Sequence, residues 1–543
     1  MTAAVNNKET IKQLLGYLPW TAEMYYQLRQ QYNKPLNSRF NLGELEKHIP
    51  KILEDISGVD ESVKTTEPKS IFLFASLHYW ITHASLVGLG LAALGHDVTL
   101  GYLPYEDWLT DVSAFDLRQQ NAYARQVLST AEPHLKNVSF LKITAQYRQL
   151  TPALQDIVTE VSHLDCMYTL RNEEVDEESN LFKFRMDRNA RAARVAMDYF
   201  EENHPDVVIV PNGTIQEMGV LFRYAKHLGL KTVTYEFSDK RDHIWLAQDE
   251  EVMRQNTAPL WEVRKNTSLT NEQWEEIRAL FSARQNATLW ENFSRLWQGQ
   301  PSEGGEAIRQ NLGLDDRPIV LLPTNVLGDS LTLGRNIFTK SMEDWVCRTL
   351  QYFLGRPDIQ LVIRVHPGEM LAEGQSIVDV IKSVIPELPK HIVIIPADEK
   401  VNTYDLMDIA ILGLVFTTTV GMEMAMRGKP VIVIGDTHYR GRGFTLDPYS
   451  WVQYYKTLGG VLQEPQKYML SEEDVKSAWL YAYSFFFDYP LPFPWHLVKK
   501  WNDYSEKSIT HITSQKHWQR YRDTFAYLVG EPIDWQQVVE KKN

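Results

Sequence analysis

The sequence predicts an α/β protein built from two doubly wound domains facing a cleft, with helical insertions and a helical C-terminal tail. Three observations predict it. Short apolar runs alternate with helix-period segments over 60–250, and the same alternation returns from about 317 to 454. Each apolar run–helix–apolar run is a βαβ unit, which implies parallel strands and a Rossmann-like sheet. A chain of 543 residues suits two to four domains, and a 44% hydrophobic content can fill their cores without disulfides or metals.

Residues 1–66 read as helical, with Trp20, Tyr25 and Tyr26 as aromatic anchors and a polar linker over 57–69. The first α/β domain spans 67–257. Its strand 70–75 is followed by a polar turn, a helix over 84–94 stopped by Gly95, and a strand over 96–102. Helical insertions fall around 105–135 and 150–190. Residues 189–203 have helical period, 205–211 is a strand, Asn212-Gly213 a turn, 219–228 a helix stopped by Gly229, and 231–236 a strand. A helical connector, 258–315, carries Trp261, Trp274, Trp290 and Trp297 as packing anchors. The second domain, 316–470, has strands at 318–322, 359–365, 391–395, 409–416 and 430–435. Helices fit at 340–354, 377–385, 403–407 and 421–427. The tail, 471–543, reads as helical, aromatic, and packed back on the domain junction.

A formal charge of −14 argues against a nucleic-acid-binding surface, which needs a basic face. Cys166 and Cys347 are far apart and lack metal-like spacing, so a cysteine zinc site is excluded and a reducing cytoplasm is the simpler setting. The first residues hold no apolar signal-peptide core, and the apolar stretch 86–94 is too short to span a bilayer.

Ligands of open α/β sheets bind outside the carboxyl ends of the strands, so the strand-end loops hold the candidates. In the loop after 409–416, Thr417, Thr418 and Thr419 lead to Gly421 at a helix start, where free N–H groups and hydroxyls suit an anion. Glu423 either caps that helix or accepts hydrogen bonds from a ribose. Arg364, His366 and Pro367 end the strand 359–365, where the imidazole can reach a phosphate or a base. Tyr439, Arg440 and Arg442 share a glycine-containing loop whose arginines can neutralise a diphosphate or a sugar carboxylate. Asn325 lies in the loop after the first strand of this domain.

Together, in this order, these segments resemble the capsule polysaccharide biosynthesis family of glycosyltransferases, which includes bacterial β-Kdo transferases. The matching features are His366-Pro367, the stretch 418–425, Gly428-Lys429-Pro430, Tyr439 with 443–445, and the segment 402–406. The resemblance covers roughly 310–455. It implies a GT-B fold, with a nucleotide sugar held by the C-terminal domain through His366, Thr418, Thr419 and Glu423, and an acceptor held by the N-terminal domain. It also implies no cofactor and no metal, in keeping with the lack of an Asp-x-Asp loop. Kdo-transferring members carry Gln-Pro in the first loop of this domain, where this chain has Pro323-Thr324-Asn325, so the sugar stays open.

Glycosyl transfer with inversion needs a general base facing the cleft. The candidates are His78 and His83, in the loop after the first strand, and Glu236, Asp239 and Asp242 after a later one. Asn212 and Tyr79 are the acceptor-binding candidates. The expected partners are a nucleotide sugar and a glycan or lipid-linked glycan, not nucleic acid. A peripheral contact with the inner face of the membrane through the aromatic stretch 481–495 stays open, beside packing of that stretch at the domain junction. Polyol phosphotransferases and sugar-nucleotide epimerases of the same fold, and a non-catalytic glycan-binding relative, are the rival readings.

Overall fold

Two sheets organise the chain, each wound outward from its centre in both directions. The computed structural model describes residues 11–541, apart from 33, 35, 37, 142–147, 291–292, 294–295, 297 and 372–373. Helices α1 (Thr21–Gln31) and α2 (Gly43–Ser57) precede strand β1 (Ser70–Ser76). Of the aromatic anchors expected there, Tyr26 is buried, whereas Trp20 and Tyr25 are exposed at 74% and 43%. Then follow α3 (His78–Ala93), β2 (Asp97–Leu103), α4 (Ala114–Ser129), β3 (Lys136–Ser139), α5 (Pro152–Leu170), α6 (Asn180–Glu202), β4 (Val207–Pro211), α7 (Gln216–His227), β5 (Lys231–Phe237) and β6 (His243–Gln248). The connector supplies α8 (Ala258–Arg264) and α9 (Asn271–Gln285); Trp261 on α8, Trp274 on α9 and Trp290 beyond them pack into the core shared with the second domain. Trp297 lies outside the described residues.

The second sheet is built from β7 (Ile319–Pro323), β8 (Gln360–Arg364), β9 (Ile392–Ile395), β10 (Ala410–Val415) and β11 (Val431–Val433). The helices between them are α10 (Met342–Leu354), α11 (Ile377–Val384), α12 (Thr403–Ile409) and α13 (Val420–Ala425), and α14 (Trp451–Gln463) follows β11. The tail contains α15 (Glu472–Tyr483), a short strand β12 (Leu491–Pro492), α16 (Lys500–Glu506) and α17 (Trp518–Leu528).

The first sheet has the order β12-β6-β5-β4-β1-β2-β3, and the second β11-β10-β7-β8-β9. In each, the chain leaves the centre toward one edge, returns, and leaves toward the other. The crevices where ligands are expected therefore open between β1 and β4 and between β7 and β10. The central strands β4, β7 and β8 are buried along their whole length, as strands covered on both faces must be. This pair of doubly wound sheets with a cleft between them is the GT-B arrangement.

Three features depart from the reading of the sequence. The helix after β1 starts at His78, not near Ala84, because Leu77 turns the chain at a positive φ of 69° and removes the expected loop. His78 and His83 are thus helical residues. The first sheet is mixed: β6 and β12 run antiparallel to their neighbours. The tail is also not wholly helical. Pro490, Pro492 and Pro494 forbid a helix, and Leu491 and Pro492 pair with β6 as the edge strand of the sheet, where a proline costs no ladder bond.

The tail crosses the junction. Helix α15 packs on α13, and residues 484–488 bury three phenylalanines and the fully buried ion pair Asp488–Arg264 at 2.9 Å. Beyond β12, Trp495 and Phe525 cover α3, whose other faces are buried as well. That helix is apolar all round because it lies between sheet and tail. The aromatic stretch 481–495 is thus committed to packing and is not available to a bilayer. No described helix is long and apolar enough to cross a membrane.

The end of α5 presses into the second domain. A Cβ on Gly328, at φ 63°, would stand 2.1 Å from the carbonyl oxygen of Met167. Gly328→Ala is expected to destabilise the protein by about 1–3 kcal/mol, through strain and overpacking together. Urea unfolding of the variant against the parent measures it, and an unchanged midpoint would show that the loop yields freely.

Candidate functional site

The loop after β10 is pinned from behind. Tyr439 is fully buried and donates its hydroxyl to the Thr418 carbonyl at 2.6 Å. The Thr417 N–H donates to Asn325 Oδ1 at 3.2 Å, tying the loop to the one after β7. Gly421 is required by this packing: a Cβ there would lie 2.4 Å from the Tyr439 hydroxyl. Tyr439 and Gly421 therefore shape the threonine loop and do not line the cavities it borders.

Glu423 is neither a simple cap nor an open carboxylate. It is 2% exposed and accepts from Arg284 Nη2 at 2.8 Å and from the Thr419 hydroxyl at 3.0 Å. Arg284 comes from the last turn of α9, far away in sequence. The pair forms part of the wall of a cavity of about 460 Å³.

The loop after β8 supplies the opposite wall. Arg364 is buried and spends its guanidinium on the carbonyls of Pro396, at 2.6 Å, and Glu399, at 3.2 Å. His366 Nδ1 accepts the Gly368 N–H at 2.9 Å, which places the proton of the neutral imidazole on Nε2. The backbone N–H of His366 donates to the Thr324 hydroxyl at 3.2 Å. Pro367, Thr324 and Arg364 also line the cavity.

A second cavity, of about 110 Å³, lies between the sheets. Asp239 and Trp245 reach it from the first domain, and Asn325 and Thr417 from the second. His366, Thr418 and Thr419 line both cavities and so form the waist between them. The strand-end candidates Asn325, Arg364, His366, Pro367, Thr417, Thr418, Thr419 and Glu423 are thereby brought to one place.

Arg440 and Arg442 are not part of it. Both line a third cavity, of about 390 Å³. Arg440 is turned onto the carbonyls of Val433 and Pro448 and stacks on Tyr449 at 4.8 Å. Arg442 donates to the Thr257 hydroxyl at 3.4 Å.

The first-domain candidates separate by environment. Glu236, at the end of β5, is half-buried and accepts from Asn212 Nδ2 at 3.4 Å and from the Phe237 N–H at 3.1 Å. Burial outweighs both bonds and pushes its carboxyl up to about 7. Tyr79 and Tyr168 are close enough that the Glu236 charge adds to burial in raising both phenols. Asn212 has a positive φ of 57°, so the turn holding it is strained.

His83 is 3% exposed, gives its Nε2 proton to the Trp495 carbonyl at 3.0 Å, and is pushed down to about 3 by burial. It is a packing residue under the tail. His78 is half-buried, lies edge-on to Phe40 and Tyr79, and is lowered by burial. Asp242 is bound to Arg520 and to His243 Nδ1, the latter at 2.7 Å. The hydrogen bond from His243 and the charge of Arg520 outweigh its burial and hold it well below the usual carboxylate range.

Arg284, Thr324, Trp245 and Arg335 line the cavities and were not marked by the sequence. Only Thr324 carried a signal, as a strand-end residue. Among the described residues, no group of three or more His, Cys, Asp or Glu side chains is placed to hold a metal ion.

The model of the family described as "Capsule polysaccharide biosynthesis protein" matches residues 295–456. That span contains the loops after β7, β8 and β10, so the resemblance is found where its motifs lie. No curated protein matches the chain. Among solved structures the chain is similar to a Thermosulfurimonas dismutans KpsC β-Kdo 2,4 transferase, at 18% identity over 50% of this chain and 78% of that one, with a TM-score of 0.34. It is also similar to the UDP-GlcNAc 2-epimerase of Neisseria meningitidis bound to UDP-GlcNAc, at 12% identity over 75% and 96% of the two chains, TM-score 0.26. An S. aureus MnaA–UDP co-structure is similar at 12% identity over 82% and 98%, TM-score 0.27.

Proposed function

We propose that the chain is a glycosyltransferase that moves a sugar from a nucleotide-sugar donor to a surface or capsular polysaccharide-type glycan, without a metal. One observation carries this reading: His366, Thr418 and Thr419 stand at the waist between a roomy cavity in the second domain and a small one shared by both domains. A nucleotide in the larger cavity would place its sugar in the smaller one and its leaving phosphate at the waist.

The waist offers what a departing phosphate needs. The Nε2 proton of His366 and the hydroxyl of Thr418 are donors held in place before the reaction, while the Thr419 hydroxyl is given to Glu423; donors so placed stabilise charge that develops at the transition state. Glu236 is the general base of the proposal. A base works best with a pKa near the working pH, and burial has brought this carboxyl to about 7. Its partner Asn212 and its neighbour Tyr79 form the acceptor side.

CMP, UDP, GDP and dTDP, each in EDTA-containing buffer, test the donor cavity by thermal shift, since a ligand that binds the native state raises its apparent stability. One of them is expected to do so. His366→Ala is expected to weaken that nucleotide about ten- to a hundredfold, the loss of a hydrogen bond to a charged group. If no nucleotide stabilises the protein, the donor site falls. Nucleotide release from the sugar donor that depends on added glycan separates transfer from epimerisation, which needs no acceptor.

A further inference from the structure

The third cavity carries an excess of positive charge. Lys226, Arg254, Arg335, Arg440 and Arg442 line it against Glu250, Glu251 and Asp436. The carboxylates are already engaged. Glu251 binds Arg223 at 2.8 Å, Asp436 and Glu251 flank Arg254 at 3.5 and 3.6 Å, and Glu250 accepts from the Asn256 amide. Among the described residues no carboxylate comes within ion-pair distance of Arg335, Arg440 or Arg442. Arg335 is 4% exposed and donates to the Met253 carbonyl. Arg442 donates to the Thr257 hydroxyl and lies over the Tyr481 ring, and its buried Nε finds no acceptor among the described residues.

Buried cations are ordinarily paired, because a guanidinium taken out of water without a counter-charge loses hydration and gains no partner in return. The chain carries a formal charge of −14, so a junction pocket with three arginines unmatched by carboxylates runs against its overall character. Burial and the neighbouring Arg254 lower Arg335 to about 10, against the opposing pull of Asp436 and Glu251.

The pocket is separate from the proposed nucleotide cavity yet joined to the reaction space. It shares Arg254, Gln255, Arg335, Asp436, Thr437 and His438 with the small interdomain cavity, and none of its lining residues with the larger one. Its walls come from both domains: 222–257 on one side, and Arg335 with 436–442 on the other.

We propose that this junction pocket is a second anion site, in which Arg335 and Arg442 bind an oxyanion, a phosphate or carboxylate group, next to the interdomain cavity. Two planar guanidiniums with no carboxylate at ion-pair distance suit the paired oxygens of such a group. The group can be free in solution or carried on a substrate glycan.

The test uses the full-length protein, with inorganic phosphate and glucuronate as separate probes, each titrated against sodium chloride at equal ionic strength and read by thermal shift and calorimetry. At least one probe is expected to bind saturably, and to do so equally with nucleotide present. Arg442→Gln is expected to weaken it about tenfold or more, the loss of a charged hydrogen-bonding partner. Lys226→Gln, at the rim, serves as a second variant if Arg442→Gln lowers the melting temperature in chloride alone. Binding of phosphate alone assigns the site to a free anion; binding of glucuronate assigns it to an acidic glycan group. A response no larger than that to chloride, or one unchanged in both variants, overturns the proposal. If an anion binds but no nucleotide does, this site stands and the donor reading falls, and the reverse result separates them the other way.

Discussion

Glu423→Ala is expected to destabilise the second domain by about 3–5 kcal/mol, the cost of leaving a buried cation without its partner. The side chains of Glu423 and Arg284 are 2% and 3% exposed and meet at 2.8 Å. Removing the carboxylate takes the counter-charge from the guanidinium beneath α13 and also frees the Thr419 hydroxyl from its acceptor. Arg284→Met should cost a similar amount from the other side. The double variant Arg284→Met/Glu423→Leu should recover most of the loss, because it removes both charges. Urea unfolding of the four proteins closes the cycle. An unchanged midpoint in Glu423→Ala would mean that the carboxylate is not engaged and is open to a ribose. The sequence alone suggests Glu423→Ala as a clean probe of donor binding; the ion pair makes it a stability variant first. His366→Ala is the better probe.

Glu236→Gln is expected to lower kcat about 10²- to 10⁴-fold if Glu236 is the base. The fold should survive, since Gln keeps the shape and burial already favours the uncharged form. In the parent protein, kcat/KM should rise with pH through an acid limb near 7, as the carboxyl loses its proton. Asn212→Ala should move that limb to higher pH, because the amide supports the charged form. The stability linkage has the opposite sign. With its folded-state value raised from 4.5 to about 7, Glu236 contributes stability that is complete below 4.5 and is lost as pH rises through 7. The group is therefore an active base in the range where it no longer supports the fold. A turnover rate within a factor of two of the parent in Glu236→Gln would pass the role to another residue.

Most of the sheet was legible because buried parallel strands are continuous apolar runs, as in β4, β7 and β8. The strands that escaped are of another kind. β3 is Lys-Asn-Val-Ser at an edge, half-exposed and without an apolar signature. β6 is antiparallel, and β12 is two residues between prolines. The strand-end rule found the threonine loop, His366 and Asn325, because position in the fold decides what such residues face. It did not find Arg284, whose role depends on a contact 139 residues distant in sequence. It also could not orient Arg440, since the carbonyls that hold it belong to Val433 and Pro448. His83 was misread for a related reason: only the tail, through Trp495, shows that it is interior.

The tail that completes the first sheet also sets a schedule. During synthesis, β6 emerges about 240 residues before its edge partner β12 and the helices that cover α3. At ~5–20 residues per second that is a delay of roughly 12–50 s. Throughout it, the first domain has an unpaired strand edge and an uncovered apolar helix while the second domain is being made. The first domain to be translated is therefore the last to be finished, and the newborn chain depends on whatever shields that surface until Trp495 and Phe525 arrive.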